Sequence, residues 1–432
     1  MKRAAFAFVI IALALPVAGS RLPVRDPVLD ALVLDAVGAN FDLRIAAARV
    51  REERALRGIT AARSKPQVAG AASAVEFERS IAAPGFGDRR QELYDAGFDA
   101  SWEIDLFGGT RHDVAAAVAQ VQATDEQRRD VEITLIAEVA RNYVELRGAQ
   151  KRLDVLDARI ETIRETLSVV RARQQAGLTN DLDVARSEAL LEDTLAARPS
   201  LEFAAAATMH RLAVLTGRQP EELVERLTAH APIPAVSAQL SEGVPLEIIE
   251  HRPDIQRAER ELAAATARIG VARADLYPRV ALFGGFGRRS DNTSNLVHSI
   301  SNYWSFGPAL RWPLLTGGRV HAQIDATSAR RDQADAAFHQ TVLRAMEEVE
   351  NAFAGYGRDQ RERDRLAAAV AAETRAVDLA DSRYRAGLDN FLAVLDAQRT
   401  LRDGEDRLAS AETRVGVSAI SVYKAVGGAA IQ

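Results

Sequence analysis

Asp42–Ala69 reads DLRIAAARVREERALRGITAARSKPQVA, and Asp254–Ala281 reads DIQRAERELAAATARIGVARADLYPRVA. Asp42 aligns with Asp254, Gly58 with Gly270, Pro66 with Pro278 and Val68 with Val280, at an offset of 212. Further along, Trp102 aligns with Trp312, Gly177-Leu178 with Gly387-Leu388 and Gly217 with Gly427, at an offset of 210. The chain is a tandem duplication, and its period is several times that of a solenoid. Each half is expected to be a unit of domain size.

The periodicity within each half changes in one order. A helix is predicted first, over Asp26 to Arg63 in one copy and Pro245 to Leu276 in the other, stopped by the proline beyond it. Two segments of period two follow. A glycine pair, Gly108-Gly109 or Gly317-Gly318, then opens a long helical stretch. His112 and His321 stand at equal distances beyond these pairs and read as structural. The stretch ends in a Gly-Leu turn, from which a second helix returns.

Leu153, Leu156, Ile160, Ile163, Leu167 and Val170 advance in alternating steps of 3 and 4. That spacing predicts a left-handed coiled-coil seam. In the second copy the positions equivalent to Leu156 through Val170 are Leu366, Val370, Glu373, Val377 and Ala380, with Tyr384 four residues on. A charged residue therefore interrupts that seam. From about Arg111 to Ala176, a helix would span ~100 Å at 1.5 Å per residue. It must lie against neighbours along its length.

The period-two segments are amphipathic. In Tyr94 to Ile104, Tyr94, Ala96, Phe98, Ala100, Trp102 and Ile104 alternate with Asp95, Gly97, Asp99, Ser101 and Glu103. In Tyr303 to Trp312, Trp304, Phe306, Pro308, Leu310 and Trp312 alternate with Tyr303, Ser305, Gly307, Ala309 and Arg311. Gln67 to Arg79 and Arg279 to Arg289 are the preceding strands. An aromatic face backed by an acidic one suits a soluble sandwich, and equally a membrane barrel with lipid outside and water inside. Four strands cannot close a barrel wide enough for a channel, so several chains would have to share one.

Lys2 and Arg3, the apolar run Ala4 to Leu15, and Val17-Ala18-Gly19 read as a secretory signal over 1–19. The expected divisions are then a first repeat over 20–217, an inter-repeat linker over 218–245 and a second repeat over 246–432. Net charge is −5, which argues against nucleic acid as a partner. The sequence has no cysteine, so it offers no disulfide, no thiolate metal site and no acylated cysteine. The seven histidines are scattered. With no catalytic, metal or phosphate-binding motif, neither an enzyme nor a cofactor is expected.

Pro27–Leu32 (PVLDAL), Asp42–Ala46 (DLRIA), Leu246–Ala258 (LEIIEHRPDIQRA), Tyr384–Arg399 (YRAGLDNFLAVLDAQR) and Val422–Gly427 (VYKAVG) carry a family pattern. On these stretches the chain resembles the TolC-like outer membrane factors, in the branch serving resistance-nodulation-division efflux pumps. The resemblance implies an α+β membrane protein. Its homotrimer would have a 12-stranded β-barrel, four strands per protomer, continued by a long α-helical coiled-coil barrel into the periplasm. The function implied is a passive exit channel for small molecules in a tripartite efflux system, located in the outer membrane. Its partners would be a periplasmic adaptor, an inner-membrane pump and outer-membrane lipid. A protein-secretion exit duct, or a soluble periplasmic coiled-coil adaptor, are the alternatives.

The resemblance also assigns positions. Gly177, Leu178, Gly387 and Leu388 would form the tips where the adaptor docks; a helix C-cap is the plainer reading of both glycines. Leu392 and Asp396, on one helix face, would form the periplasmic gate with Tyr384 and Arg186. Asp396 is expected to pair with Arg399 or Arg186, or to form an acidic ring with its symmetry mates. Asp95, Asp99 and Glu103 would line the lumen and repel anions. Trp102, Trp304, Phe306 and Trp312 would face lipid or its interface.

Overall fold

The structure, a computed structural model, describes residues 22–82, 89–236 and 250–428. The predicted signal over 1–19 lies outside the described residues, as does part of the predicted linker. The chain folds into two compact units. One comprises 42–131 and 253–344, the other 1–41, 132–252 and 345–432. Each unit takes segments from both halves of the sequence.

The first unit holds the strands. Helix α2 (Phe41–Ala62) leads to β1 (Gln67–Glu78) and β2 (Arg90–Ile104). Helix α7 (Pro253–Ala274) leads in the same way to β3 (Arg279–Ser290) and β4 (Asn302–Arg311). All four strands join one antiparallel sheet in the order β1-β2-β3-β4. Strand β2 begins four residues before the predicted Tyr94, so its hairpin with β1 is longer than the alternation alone suggested. Trp102 Nε1 donates to Ser64 O at 2.9 Å, and Trp312 Nε1 donates to Leu276 O at 3.1 Å. Both tryptophans thus hold the strand to the turn ending the preceding helix. The two copies share this device.

The second unit is helical. Helix α1 (Pro27–Ala39) starts on Asp26, whose carboxylate accepts from Val28 N at 2.7 Å and Leu29 N at 3.1 Å. Proline at the first helical position needs no N–H partner. The single helix predicted over Asp26 to Arg63 is broken at Asn40, where the backbone is extended. Asn40 Nδ2 donates to Leu215 O at 2.9 Å, so the break is anchored by a tertiary contact. In the second copy a helix begins at Pro253, and Pro245, the predicted start, lies outside the described residues. A proline opens a helix readily and interrupts one it falls within.

The long helices α3 (Gly109–Gln175) and α8 (Arg319–Arg385) start one residue after a left-handed glycine, Gly108 or Gly318. That geometry makes Ala322 the counterpart of His112, correcting the pairing of His112 with His321. All six seam residues from Leu153 to Val170 are buried. In the second copy Leu366 and Tyr384 are buried, and Val370, Val377 and Ala380 half-buried. At the charged gap, Glu373 Oε2 is buried without a hydrogen-bond partner. It lies over Gly404, where a Cβ would stand 2.0 Å from it.

The returning helices differ between the copies. The first is split into α4 (Asp181–Leu195) and α5 (Arg198–Leu215), whereas α9 (Phe391–Ala425) is continuous. Pro199 accounts for the split, because it cannot donate back to the preceding turn; its counterpart is Ala409. Helices α3 and α9 approach closely at Gly148, which faces Thr413, and at Gly416, which faces Val144. They are also bridged by Arg152–Asp406 at 2.7 Å and Arg159–Glu405 at 3.0 Å. The segment after α5, which carries α6 (Val224–Leu227), is tied down by buried polar groups. Arg147 donates to Tyr143 Oη, Gln150 Oε1 and Ala229 O, and Gln150 donates to Leu227 O. Nothing in the helical periodicity marked Arg147 for that role.

Candidate functional site

The ladder register sorts the sheet residues onto two faces, since side chains alternate along each strand. One face carries Val68, Ala72 and Ala74 of β1, and Tyr94, Phe98, Trp102 and Ile104 of β2. It continues with Val280, Leu282 and Phe286 of β3, and with Trp304, Phe306, Pro308 and Leu310 of β4. Trp304 is 78% exposed, Phe306 72% and Phe98 61%. An apolar patch across four strands is far larger than isolated surface hydrophobes require. Beyond it the same face turns charged: Glu76 pairs with Arg90, and Glu78 with Arg89. Trp312 follows the last residue of β4 and is half exposed. Among the described residues no helix is long and apolar enough to cross a membrane.

The opposite face carries Asp95, Asp99 and Glu103, but not as a bare acidic strip. Arg289 of β3 pairs with Asp95 at 2.6 Å and lies over the Tyr303 ring at 4.8 Å. Arg279 stands 3.9 Å from Glu103. Arg311 shares the face. Two of the three carboxylates therefore have a guanidinium within 4 Å, so the strip is not uniformly acidic. The arginines come from the other copy of the repeat, so only strand pairing revealed them.

The two Gly-Leu turns share one geometry. Gly177 and Gly387 both have φ of 72°. Gly177 N donates to Gln174 O, and Leu178 N to Arg173 O, the bond pattern of a Schellman cap. Gly387 to Tyr384 and Leu388 to Arg383 repeat it. Asn180 and Asn390 then cap the returning helices by accepting from Asp183 N and Ala393 N. The capped turns leave Leu178 68% exposed and Leu388 70% exposed.

Of the four predicted gate residues, the structure leaves three at the surface. Leu392, Asp396 and Arg186 are exposed. Among the described residues, neither Asp396 nor Arg186 has an ion-pair partner in the chain, so the expected pairing of Asp396 with Arg399 or Arg186 does not occur within one protomer. Tyr384 differs from them in being buried. It is buried in a cluster with Val170, Phe391 and Val394, and the Arg173 guanidinium lies over its ring at 4.4 Å. Burial raises its hydroxyl pKa, against the opposing effect of Arg173. Sequence reading missed Leu182, the repeat counterpart of Leu392 and likewise exposed. The 210-residue offset would have found it.

Among the described residues, no group of acidic, histidine or cysteine side chains is placed to hold a metal ion.

Residues 32–218 and 244–428 match the family described as outer membrane efflux protein. The solvent efflux pump outer membrane protein SrpC of Pseudomonas putida is 32% identical over 407 residues, 94% of this chain and 86% of the relative. Nodulation protein T of Rhizobium leguminosarum bv. trifolii is 31% identical, over 90% of this chain and 82% of the relative. Among solved structures, the outer-membrane channel OprN superposes with a TM-score of 0.88 at 38% identity, covering 93% of this chain and 90% of that one. The open state of the Neisseria gonorrhoeae MtrE outer membrane channel gives 0.83 at 28% identity, over 92% and 88%. The fold is thus shared with solved outer-membrane channels, and the chain belongs to the outer membrane efflux protein family, whose members are trimeric exit channels of tripartite efflux systems.

Proposed function

We propose that the chain conducts small apolar or amphipathic toxic compounds outward, with the apolar sheet face against lipid and the charged face lining water. The observation that carries this reading is the four-strand apolar face, which no segment of its own chain is shown to cover. The solvent and toluene efflux roles in the names of relatives support the substrate class. Three chains would supply twelve strands, and attachment to the outer membrane would rest on the barrel, since the sequence has no cysteine to acylate. We read the chain as two repeats, 20–217 and 246–432, and its role as transport without catalysis.

The exposed Leu178 and Leu388, each on a rigidly capped turn, suit docking of a periplasmic adaptor that couples the channel to an inner-membrane pump. Asp396 and Arg186 are exposed, opposite in charge and unpaired among the described residues. Around a threefold axis they can pair between protomers and hold the tips closed, with Leu182 and Leu392 beside them. Pulling the hairpins apart would break those pairs and open the channel. Tyr384, buried in its own protomer, would act through the stiffness of the tip rather than in the lumen.

Single-channel recording in planar bilayers tests the gate. Asp396→Ala and Arg186→Ala should each raise conductance several-fold, and the charge swap of both should restore the low level. Unchanged conductance in both single variants would remove the gate. Loss of solvent tolerance on deletion of the gene, restored by the wild-type chain, tests the substrate class.

A further inference from the structure

The ladder register arranges the apolar face of the sheet in rows, and their side chains are uneven in size. Gly70, Phe98, Phe286 and Trp304 stand side by side in one row. The next row toward the turn between β3 and β4 is Ala72, Ala96, Arg288 and Asn302. Phe98 leans toward β1, its ring 3.6 Å from the point where a Cβ on Gly70 would stand, and so leaves space on the side of Phe286. The result is a groove of about 500 Å³, floored by Ala72 and Ala96, walled by Phe98 and Phe286 and bordered by Arg288. Past the two rings the lane continues over Ala100 and Gly284, again small and opposite each other. The groove lies on β1, β2 and β3, which pair within one chain.

Arg288 is exposed and, among the described residues, has no carboxylate partner. Its Nη1 donates to Val297 O at 2.8 Å and Leu296 O at 3.4 Å, which fixes the side chain against the turn. Nε and Nη2 carry its other N–H groups, and among the described residues nothing accepts from them. The acids farther along the same face are already engaged. Glu76 pairs with Arg90 and Glu78 with Arg89, and Glu92 accepts from Tyr94 Oη at 3.0 Å. Arg288 is therefore free to take an anion at the head of the groove. Val297, whose carbonyl it holds, is itself exposed, so apolar surface continues beside the guanidinium.

We propose that this groove is a binding site for a phosphorylated, acylated glycolipid of the outer leaflet. One acyl chain would lie over Ala96, between Phe98 and Phe286, and a phosphate would sit on Arg288. Guanidinium and phosphate match in bidentate hydrogen bonding. From Ala96 to Ile104 the strand covers ~26 Å at ~3.3 Å per residue, less in height once tilted. That is close to the ~25 Å apolar band of a membrane barrel, so Arg288 stands at its edge, where lipid phosphates lie. The helices leave the sheet from the other end of the strands, which makes this the outward edge. A phosphomonoester suits an unpaired cation better than a zwitterionic headgroup, which brings a cation of its own. The inference rests on the lipid-facing reading of the apolar face and adds to it one specific site per protomer.

The test uses the trimer purified in detergent and freed of co-purified lipid. It would be mixed with a diphosphorylated, acylated glucosamine disaccharide, with the same lipid lacking phosphate, or with inorganic phosphate. The phosphorylated lipid should raise the temperature of trimer dissociation by several degrees, because a ligand stabilises the state it binds. The phosphate-free lipid should give a clearly smaller shift, and inorganic phosphate none. Arg288→Gln should abolish the difference between the two lipids, and Arg288→Lys should keep part of it. Ala96→Phe fills the groove with Arg288 left in place, and should diminish the response to both lipids. Equal shifts from the two lipids would overturn the site in favour of bulk acyl contact. So would an undiminished difference in Arg288→Gln, or a full response in Ala96→Phe. A shift from inorganic phosphate equal to that from the lipid would overturn the lipid as occupant. A chain that does not fractionate with outer membranes would overturn instead the lipid-facing reading itself.

Discussion

Tyr143 shows how a single side chain couples two parts of the helical unit. Its ring is fully buried, and its hydroxyl accepts from the Arg147 guanidinium at 3.1 Å. Burial pushes its pKa up from 10.0 to about 12, and a hydrogen bond with Asp26 adds to the rise, against the opposing effect of Arg147. The neutral hydroxyl is the form that suits the fold. Its stabilising contribution is complete below the unfolded value of 10.0 and is lost as pH rises through about 12. Thermal melts of the purified trimer should therefore show a drop in midpoint between these pH values. Tyr143→Phe should show a smaller drop, because Phe has no proton to lose. An identical pH profile for both proteins would contradict the assignment. Asp396 works at the same scale but in the opposite setting. It is exposed and, among the described residues, without an ion-pair partner, so the proposed gate would draw on what a neighbouring copy brings to it.

At the scale of elements, the two copies of the coiled coil solve one packing problem in different ways. The first copy places Ile163 and Thr194 at positions where the second has Glu373 and Gly404, and both residues of the first copy are buried. A larger apolar residue with a medium one is replaced by a long acid over a glycine. Gly404→Ala would drive a Cβ into Glu373 Oε2. Alanine normally favours a helix over glycine by about 1 kcal/mol. Here the Glu373 carboxylate must swing out of the notch, which should cancel much of that gain. Adding Glu373→Ala removes the obstacle, so the double variant should recover most of it. The non-additivity, of order 1 kcal/mol, can be read from a double-mutant cycle in chemical denaturation. Additive effects would show that the two residues do not share the notch.

For the whole molecule, the decisive property is the two-faced sheet. A cation on the apolar face should prevent assembly, because placing arginine against the bilayer midplane costs roughly 2–4 kcal/mol at each of three equivalent sites. Phe98→Arg should therefore fail to fractionate with outer membranes as a heat-modifiable trimer. Ser101→Arg, on the charged face of the same strand, should assemble normally. If both assembled equally well, the lipid-facing assignment would fall. The two units also bear on how function is divided. The strand unit holds the apolar sheet face, and the helical unit holds the capped turns with Leu178 and Leu388, and the exposed Leu392 and Asp396. Each draws on both repeats, so duplication supplied segments of both units.

Several features were legible without coordinates. The duplication, the 3-and-4 seam, the period-two strands and the Gly-Leu turns are all local regularities. They follow from fixed helical and strand periods and from the φ that only glycine adopts freely. Those periods determined which faces are apolar and where the chain reverses. Partnership between distant segments was not legible. The pairing of Arg289 with Asp95, the burial of Tyr384, the break at Asn40 anchored on Leu215 and the notch of Glu373 over Gly404 depend on which elements meet. A sequence records each side chain's chemistry and spacing. The partner it meets across a ladder or a helix interface is set by register, and register is a property of the folded chain.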